Sequence, residues 1–333
     1  MSRDKKLKRP VLSRVHRGCH GELFSLNLLE SCPSGCLHCR YAQRQKTLAA
    51  PNPQLPALLD KELARLTRRG QRPAFIVVGR SCEPFPKSKE VTRVAIKCMQ
   101  VALTRKVGVS VETRGKIPDE ALSLFKEHRR LTRVRVAIPS IHREVLETWE
   151  PGCFDVETRI FNLQRLRRAG VPCMMHIAPL IPFVNDGPDH YQELLDTTAD
   201  LRLRRVTAAL FRRYRGVRDV LTSRVKGTAE LVLSAYTDRT GYPPLPRQLL
   251  PPARREEIYG KLRQEARKRD LGVGVCRCDD EELGSPPCSL GFGTTRRRIR
   301  EVGSGKLSTA PSSPQNKTTR RQTDSMPLFR DES

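Results

Sequence analysis

The stretch Asn27-Leu28-Leu29-Glu30-Ser31-Cys32-Pro33-Ser34-Gly35-Cys36-Leu37-His38-Cys39 decides how the rest of the chain is read. Its last eight residues space three thiols as C-x3-C-x2-C. That spacing brings three thiolates around one face of a cluster and leaves a fourth corner without a protein ligand. An iron–sulfur cluster that works on a substrate needs that vacancy, whereas structural and electron-carrying clusters usually take four cysteines. Zinc is the competing occupant, with His38 or Cys19 as its fourth ligand, because thiolate and imidazole suit that ion too. The run Leu23–Leu28 just before the loop reads as a strand.

Working outward, further strands are expected at Ala74–Val78, Val107–Val111, Val134–Ile138, Cys173–Ala178 and Val206–Phe211. Amphipathic stretches lie between them. One carries Val91, Val94, Ala95, Cys98 and Ala102 at i, i+3, i+4, i+7 and i+11. Another starts at Asp155 as N-cap with Glu157 in its first turn, buries Val156, Ile160 and Leu163, and stops at Gly170. Strand and helix in alternation predict right-handed βαβ units around a parallel sheet. Six units form an open, partial (βα)6 barrel of the TIM-like kind, and the cysteine loop follows its first strand. Ligands of parallel α/β folds bind beyond the carboxyl ends of the strands, so motif and position agree.

The chain has 333 residues, of which 62 are basic and 36 acidic, a formal charge of +26. Such an excess favours polyanionic partners, nucleic acid first, although it also serves solubility. Eleven cysteines could mean a disulfide framework, but Met1-Ser-Arg-Asp-Lys-Lys-Leu-Lys-Arg-Pro10 has no apolar core for a secretion signal and no run approaches a membrane span. A reducing cytoplasm without membrane attachment is therefore expected. There, Cys98, Cys153 and Cys173 read as small buried apolar residues. Residues 1–20 read as a basic flexible arm, 21–240 as the barrel, 241–293 as a C-terminal extension and 294–333 as a disordered basic tail. The extension holds a charged helix from about Arg254 to Lys268, then Cys276, Cys278 and Cys288, a second thiol group suited to an auxiliary iron–sulfur cluster or zinc.

Four stretches together resemble the radical S-adenosylmethionine superfamily, and within it the spore photoproduct lyase-like, or DNA repair photolyase-like, subgroup. They are Asn27 to Ala42, Glu83-Pro-Phe85 with Thr92-Arg93, Trp149-Glu150-Pro151 with Arg159, and Ile177 to Asp186. The resemblance implies that Cys32, Cys36 and Cys39 hold a 4Fe–4S cluster whose fourth iron chelates S-adenosylmethionine. Reductive cleavage then yields a 5′-deoxyadenosyl radical that abstracts hydrogen, with an external reductant such as flavodoxin or ferredoxin. It further implies cofactor contacts at Ser81, Arg114, Ser140 and Arg159, and hydrogen return through Cys82 and Tyr41. The family's aromatic neighbours of the third cysteine are replaced here by His38 and Arg40, with Tyr41 one step further on. DNA is the favoured substrate over RNA; a peptide or small metabolite, or a zinc-stabilised nucleic-acid-binding protein, are the alternatives. Ser325-Met-Pro-Leu-Phe329 resembles peptides that dock on sliding clamps.

Overall fold

The computed structural model describes residues 10–15, 23–43, 50–236 and 247–285. Cys19, Cys288, the tail and its Leu-Phe pair lie outside them. Strands β1 (Leu12–Val15) and β2 (Leu23–Leu26) open the chain. Helix α1 (Leu55–Arg68), β3 (Phe75–Val78), α2 (Lys89–Thr104), β4 (Gly108–Thr113), α3 (Asp119–Glu127) and β5 (Thr132–Ala137) follow. The second half runs α4 (Arg143–Trp149), α5 (Val156–Arg168), β6 (Cys173–Leu180), α6 (Pro188–Asp200) and β7 (Arg205–Leu210). After these come β8 (Arg213–Tyr214), α7 (Val217–Arg224), α8 (Lys226–Ser234), β9 (Arg247–Gln248), α9 (Pro252–Arg267) and β10 (Gly272–Val275).

One eight-stranded sheet in the order β1-β2-β3-β4-β5-β6-β7-β10 carries the architecture, and it stays open. All neighbours from β2 to β10 are parallel, and β1 alone runs antiparallel at the edge. The six expected strands are β2 to β7, and the open partial barrel is as the alternation implied. Two boundaries differ. The expected arm over residues 1–20 contains β1, whose Leu12 and Val15 bury against β2. The expected extension is no separate appendage, because β10 pairs with β7 from Gly272↔Arg205 to Val275↔Ala208 and adds a seventh parallel strand.

Local chemistry explains the helices. Ser88 Oγ accepts from Val91 N at the start of α2, and the whole Val91–Ala102 stripe is buried. Asp155 Oδ1 accepts from Thr158 N at 2.7 Å to begin α5, and Gly170 at φ +67° ends the turn after it. Ile160 is only half-buried, a small correction, since Arg159 and Asn162 take the deepest places on that face. Asn162 bridges Ile117 N and Gly115 O, and Arg159 Nε donates to Phe154 O. In α9, Ile258, Leu262 and Ala266 are buried as expected. No helix among the described residues is long and apolar enough to cross a membrane.

The two sheet faces differ in chemistry. Val111 pairs with Val134 and Val136 with Met175, fully buried rows covered by helices. The opposite face pairs Ser110 with Arg133, Glu112 with Arg135 and His176 with Thr207. That polar face lines the barrel lumen.

Candidate active site

The loop Cys32–Cys39 leaves β2 at the carboxyl end of the sheet and is tied down by main-chain bonds. Leu37 N donates to Trp149 O at 3.0 Å, Gly152 N to Ser34 O at 3.0 Å, and Cys32 N to Tyr41 O at 3.2 Å. From the other side, the Tyr214 hydroxyl donates to Leu37 O at 2.8 Å. A Cβ on Gly152 would stand 2.5 Å from Ser34 O, so only glycine permits this approach. Strand β3 ends in the same way at Gly79, where φ is +105° and a Cβ would meet Glu112 O.

Cys32, Cys36 and Cys39 line one open cavity at this end of the barrel, together with Tyr41, Ser81, Cys82, Glu112, Arg114, His176 and Asp279. A hydrogen bond from Cys82, helped by Glu83 N at 3.4 Å, overcomes burial and lowers the Cys32 thiol to about 5. Cys32 is thus a thiolate at neutral pH, the form that binds metal. Burial pushes Cys39 up. Cys36 is also pushed up, by the adjoining Cys153 thiol and by burial. The Ser81 hydroxyl is buried against the cavity without a hydrogen-bond partner, which leaves it to meet a polar group.

Beneath the loop lies a buried ionic knot. Glu150 accepts from Arg159 Nη1 at 2.5 Å, Arg114 Nε at 2.6 Å and His38 Nε2 at 2.9 Å. Burial raises the Glu150 carboxyl, but Arg159 and Arg114 outweigh it and hold it well below the usual range. Burial pushes His38 down despite Glu150, so the ring is neutral and its Nε2 carries the proton that Glu150 accepts. Cys36, His38 and Glu150 do come together closely enough to suggest a metal site. A dication bound through Glu150 there would face the two guanidiniums that this carboxylate already holds, Arg159 and Arg114. Three convergent thiols with an orphaned serine beside them fit a cluster and its polar cofactor.

The remaining candidates fall on both sides of that line. Cys82, Tyr41 and Ser81 face the cavity. Arg114 reaches it, yet its guanidinium is engaged by Glu150, by Ala178 O at 3.0 Å and by Glu112 at 3.8 Å. Ser140 and Arg159 are fully buried and are not among the lining residues. Ser140 Oγ accepts from His142 N in a turn before α4, and Arg159 holds Glu150. Cys276 is buried at the end of β10, while Cys278 packs on Val15, Leu23 and Phe75 across the lumen. Asp280 of the same turn is fully buried and accepts from Arg255 Nη1 at 2.5 Å.

Glu112, Arg135 and His176 escaped sequence reasoning. They share the lumen with Asp279: Arg135 Nη2 donates to Glu112 at 2.7 Å, and its Nη1 stands 3.9 Å from Asp279. Burial raises Glu112, but Arg135, His176 and Arg114 carry it down to about 2. Burial drops His176 to about 3, and its Nδ1 lies 2.9 Å from Thr207 Oγ1. The one available signal was charge on alternate positions of strands otherwise made of valine and isoleucine. Cys153 was read as an apolar filler, and its Sγ lies 3.5 Å from that of Cys36.

A family model described as the Radical SAM superfamily matches residues 26–196. An uncharacterized protein of Mycobacterium tuberculosis strain H37Rv, and one of Mycobacterium bovis, are each 22% identical over 194 residues, 53% of this chain and 55% of theirs. The chain thus spans about half the length of the curated relatives it matches. Among solved structures, a spore photoproduct lyase complexed with dinucleoside spore photoproduct has a TM-score of 0.60 at 16% identity, covering 75% of each chain. A radical SAM methyltransferase from Sphaerobacter thermophilus has a TM-score of 0.50 at 16% identity, covering 76% of this chain and 65% of that one. At such identities these likenesses speak for the fold.

Proposed function

The chain belongs to the radical SAM superfamily, and from that membership we propose that this enzyme abstracts hydrogen from a nucleic-acid substrate held at the mouth of the barrel. The observation that carries the substrate class is the rim. Arg40, Arg80, Arg212 and Arg213 line the same cavity as the three cluster cysteines. Guanidiniums at a cavity mouth suit phosphates, and they can bind them bidentately. The segment bearing Arg212 and Arg213 is latched to the cluster loop through Tyr214, so the rim and the thiols keep one geometry. The formal charge of +26 supports the same class, as does the dinucleoside bound in the lyase structure named above.

Cys32, Cys36 and Cys39 would hold three irons of a 4Fe–4S cluster, and the Ser81 hydroxyl would meet a polar group of S-adenosylmethionine. When bound, cluster and cofactor supply, with one electron from an external carrier such as flavodoxin or ferredoxin, a carbon-centred radical able to take hydrogen from unactivated carbon. The protein's own share is placement and protection. Glu150 holds the loop from below, and the lumenal network below the thiols gives a polar substrate hydrogen-bonding partners. Cys82 and Tyr41, both at the cavity wall, are the residues placed to return hydrogen to the product. Arg114, Ser140 and Arg159 serve as supports of this wall.

Fluorescence anisotropy of anaerobically reconstituted protein with single-stranded DNA, duplex DNA and RNA across a salt series tests the substrate class. Arg212→Ala with Arg213→Ala is expected to lower the slope of log K against log salt by roughly 1.4 on single strands, about 0.7 for each phosphate that is no longer neutralised. A weak, salt-independent response in the unaltered enzyme overturns the nucleic-acid reading. Deuterium carried from 5′-labelled S-adenosylmethionine into a peptide or metabolite, and not into nucleic acid, does so too.

A further inference from the structure

Cys153 lies far from the cysteine loop in sequence, yet the fold presses it against one of the three thiols. Its Sγ is 3.5 Å from Cys36 Sγ. Three main-chain hydrogen bonds hold this apposition: Leu37 N to Trp149 O and Gly152 N to Ser34 O across the two segments, and Cys153 N to Glu150 O, each at 3.0 Å. Gly152 has no room for a side chain against Ser34 O, so the two segments meet as closely as backbones can. The apposition of the two backbones therefore belongs to the architecture of the loop.

We propose that Cys153 is a positioning residue for the cluster: its thiol donates an S–H···S hydrogen bond to Cys36 Sγ and raises the cluster's reduction potential. The inference rests on the reading that Cys36 is an iron ligand. A thiolate bound to iron carries no proton, so the single proton of the pair belongs to Cys153, and the direction of donation follows. A donor aimed at a ligand sulfur stabilises the more negative, reduced cluster over the oxidised one. Cys32 has analogous donors in the Cys82 thiol and in Glu83 N, the latter at 3.4 Å. Cys82 lines the cluster cavity itself, and Cys153 does not. Cys153 also lines a separate recess with Lys87, Arg143 and Asp155, away from the cavity that the three ligands share with Ser81 and Arg213. Truncating it therefore leaves the cluster cavity's wall in place.

The test uses anaerobically reconstituted holoenzyme, with iron and sulfide per chain and a redox titration followed by electron paramagnetic resonance. Cys153→Ala is expected to load iron as the unaltered enzyme does. At the unaltered enzyme's midpoint its ratio of reduced to oxidised cluster is expected to fall about fivefold, equivalent to ~40 mV for a one-electron couple. Cys153→Ser keeps a donor and is expected to retain most of the potential. An unchanged midpoint in Cys153→Ala overturns the proposal. So does loss of iron in both variants, because Cys153 would then be a ligand or a scaffold. Unaltered enzyme that takes up no iron overturns the cluster reading itself, a result separate from either of these.

Discussion

Replacing Glu150 by Gln removes one charge from a knot whose members are all sheltered from water. The side chain of Glu150 is 0% exposed, that of Arg159 0% and that of Arg114 15%. With His38 neutral, Glu150 is the carboxylate shared by two guanidiniums, Arg159 and Arg114; Glu112 stands 3.8 Å from Arg114 and is itself held by Arg135 at 2.7 Å. Glutamine keeps the shape but leaves one positive charge uncompensated, and its amide presents hydrogen-bond donors to neighbours that are donors themselves. Breaking a buried pair in this way costs about 3–5 kcal/mol. For a chain of this size each kcal/mol moves the melting temperature by roughly 2–4 °C, so a fall of roughly 6–20 °C is expected. Glu147→Gln is the internal control. It sits within α4, just ahead of Glu150, its Arg143 partner is 85% exposed, and such a pair is worth roughly 0–1 kcal/mol. Urea denaturation of both variants followed by far-ultraviolet circular dichroism gives the comparison. A Glu150→Gln midpoint as close to the unaltered protein's as that of Glu147→Gln refutes the argument. The knot would then be solvated in solution, and Glu150 would not be the residue that holds the cysteine loop.

Three further outcomes follow from the same geometry. Gly152→Ala drives a methyl group to 2.5 Å from Ser34 O, so the cysteine loop must shift. Iron bound per chain after reconstitution should fall by more than half while the far-ultraviolet spectrum is kept; full loading would show that the loop does not need this approach. Glu112 is carried from its ordinary 4.5 down to about 2, by Arg135 above all, against the opposing effect of burial. Its contribution, at most about 3 kcal/mol, is present above pH 4.5 and is lost as pH falls toward 2. The stability curves of the unaltered protein and Glu112→Gln should therefore converge over that interval, and a constant offset between them contradicts the assignment. Asp280→Asn breaks the buried pair with Arg255, which is 2.5 Å long, and weakens the cap on Leu283 N. The turn that carries Cys278 and Asp279 should then become open to limited proteolysis, and resistance equal to that of the unaltered protein argues against it.

The parts of this architecture that were legible in the sequence share one property: their cause is local. The C-x3-C-x2-C spacing is a fact of eight neighbouring residues, and the three thiols converge because the loop between them is short. Strands β2 to β7 announced themselves by apolar runs, and α2 and α5 by their stripes and caps. Strand β10 could not be read in this way. Gly272-Val-Gly-Val275 is half glycine, a composition that weakens a strand, and it is extended because β7 offers a free edge. The same holds for the functional pairings. Trp149-Glu150-Pro151 stood out in the sequence, but nothing local indicates that Glu150 will collect Arg114, Arg159 and His38 from three other segments. Arg159 was expected to contact the cofactor, and the fold buries it behind the cavity wall against Glu150. Cys153 was invisible, because its meaning depends on a partner 117 positions away.

The lumen shows why polar residues in these strands mark a site and are no blemish. Strands of a parallel barrel are covered on both faces and ordinarily read as unbroken apolar runs. Here Ser110, Glu112, Arg133, Arg135, His176 and Thr207 interrupt four consecutive strands, all on one face. Filling that face with valine would have avoided the desolvation that burial imposes on Glu112 and His176. Charges so placed are costly unless they are paired, and the pairing is visible: Glu112 with Arg135, His176 with Thr207, and Asp279 brought in beside Arg135 by the turn after β10. The last of these is set apart by its origin. Asp279 comes from outside the stretch that defines the family match, residues 26–196. The wall that holds the thiols and the acid that faces them thus come from different parts of the chain. Asp279→Asn should accordingly alter binding of the substrate while leaving iron content unchanged, a separation that equilibrium binding and metal analysis on one preparation can measure. A fall in iron content alongside weaker binding would place Asp279 among the supports of the cysteine loop and end its assignment to the substrate side.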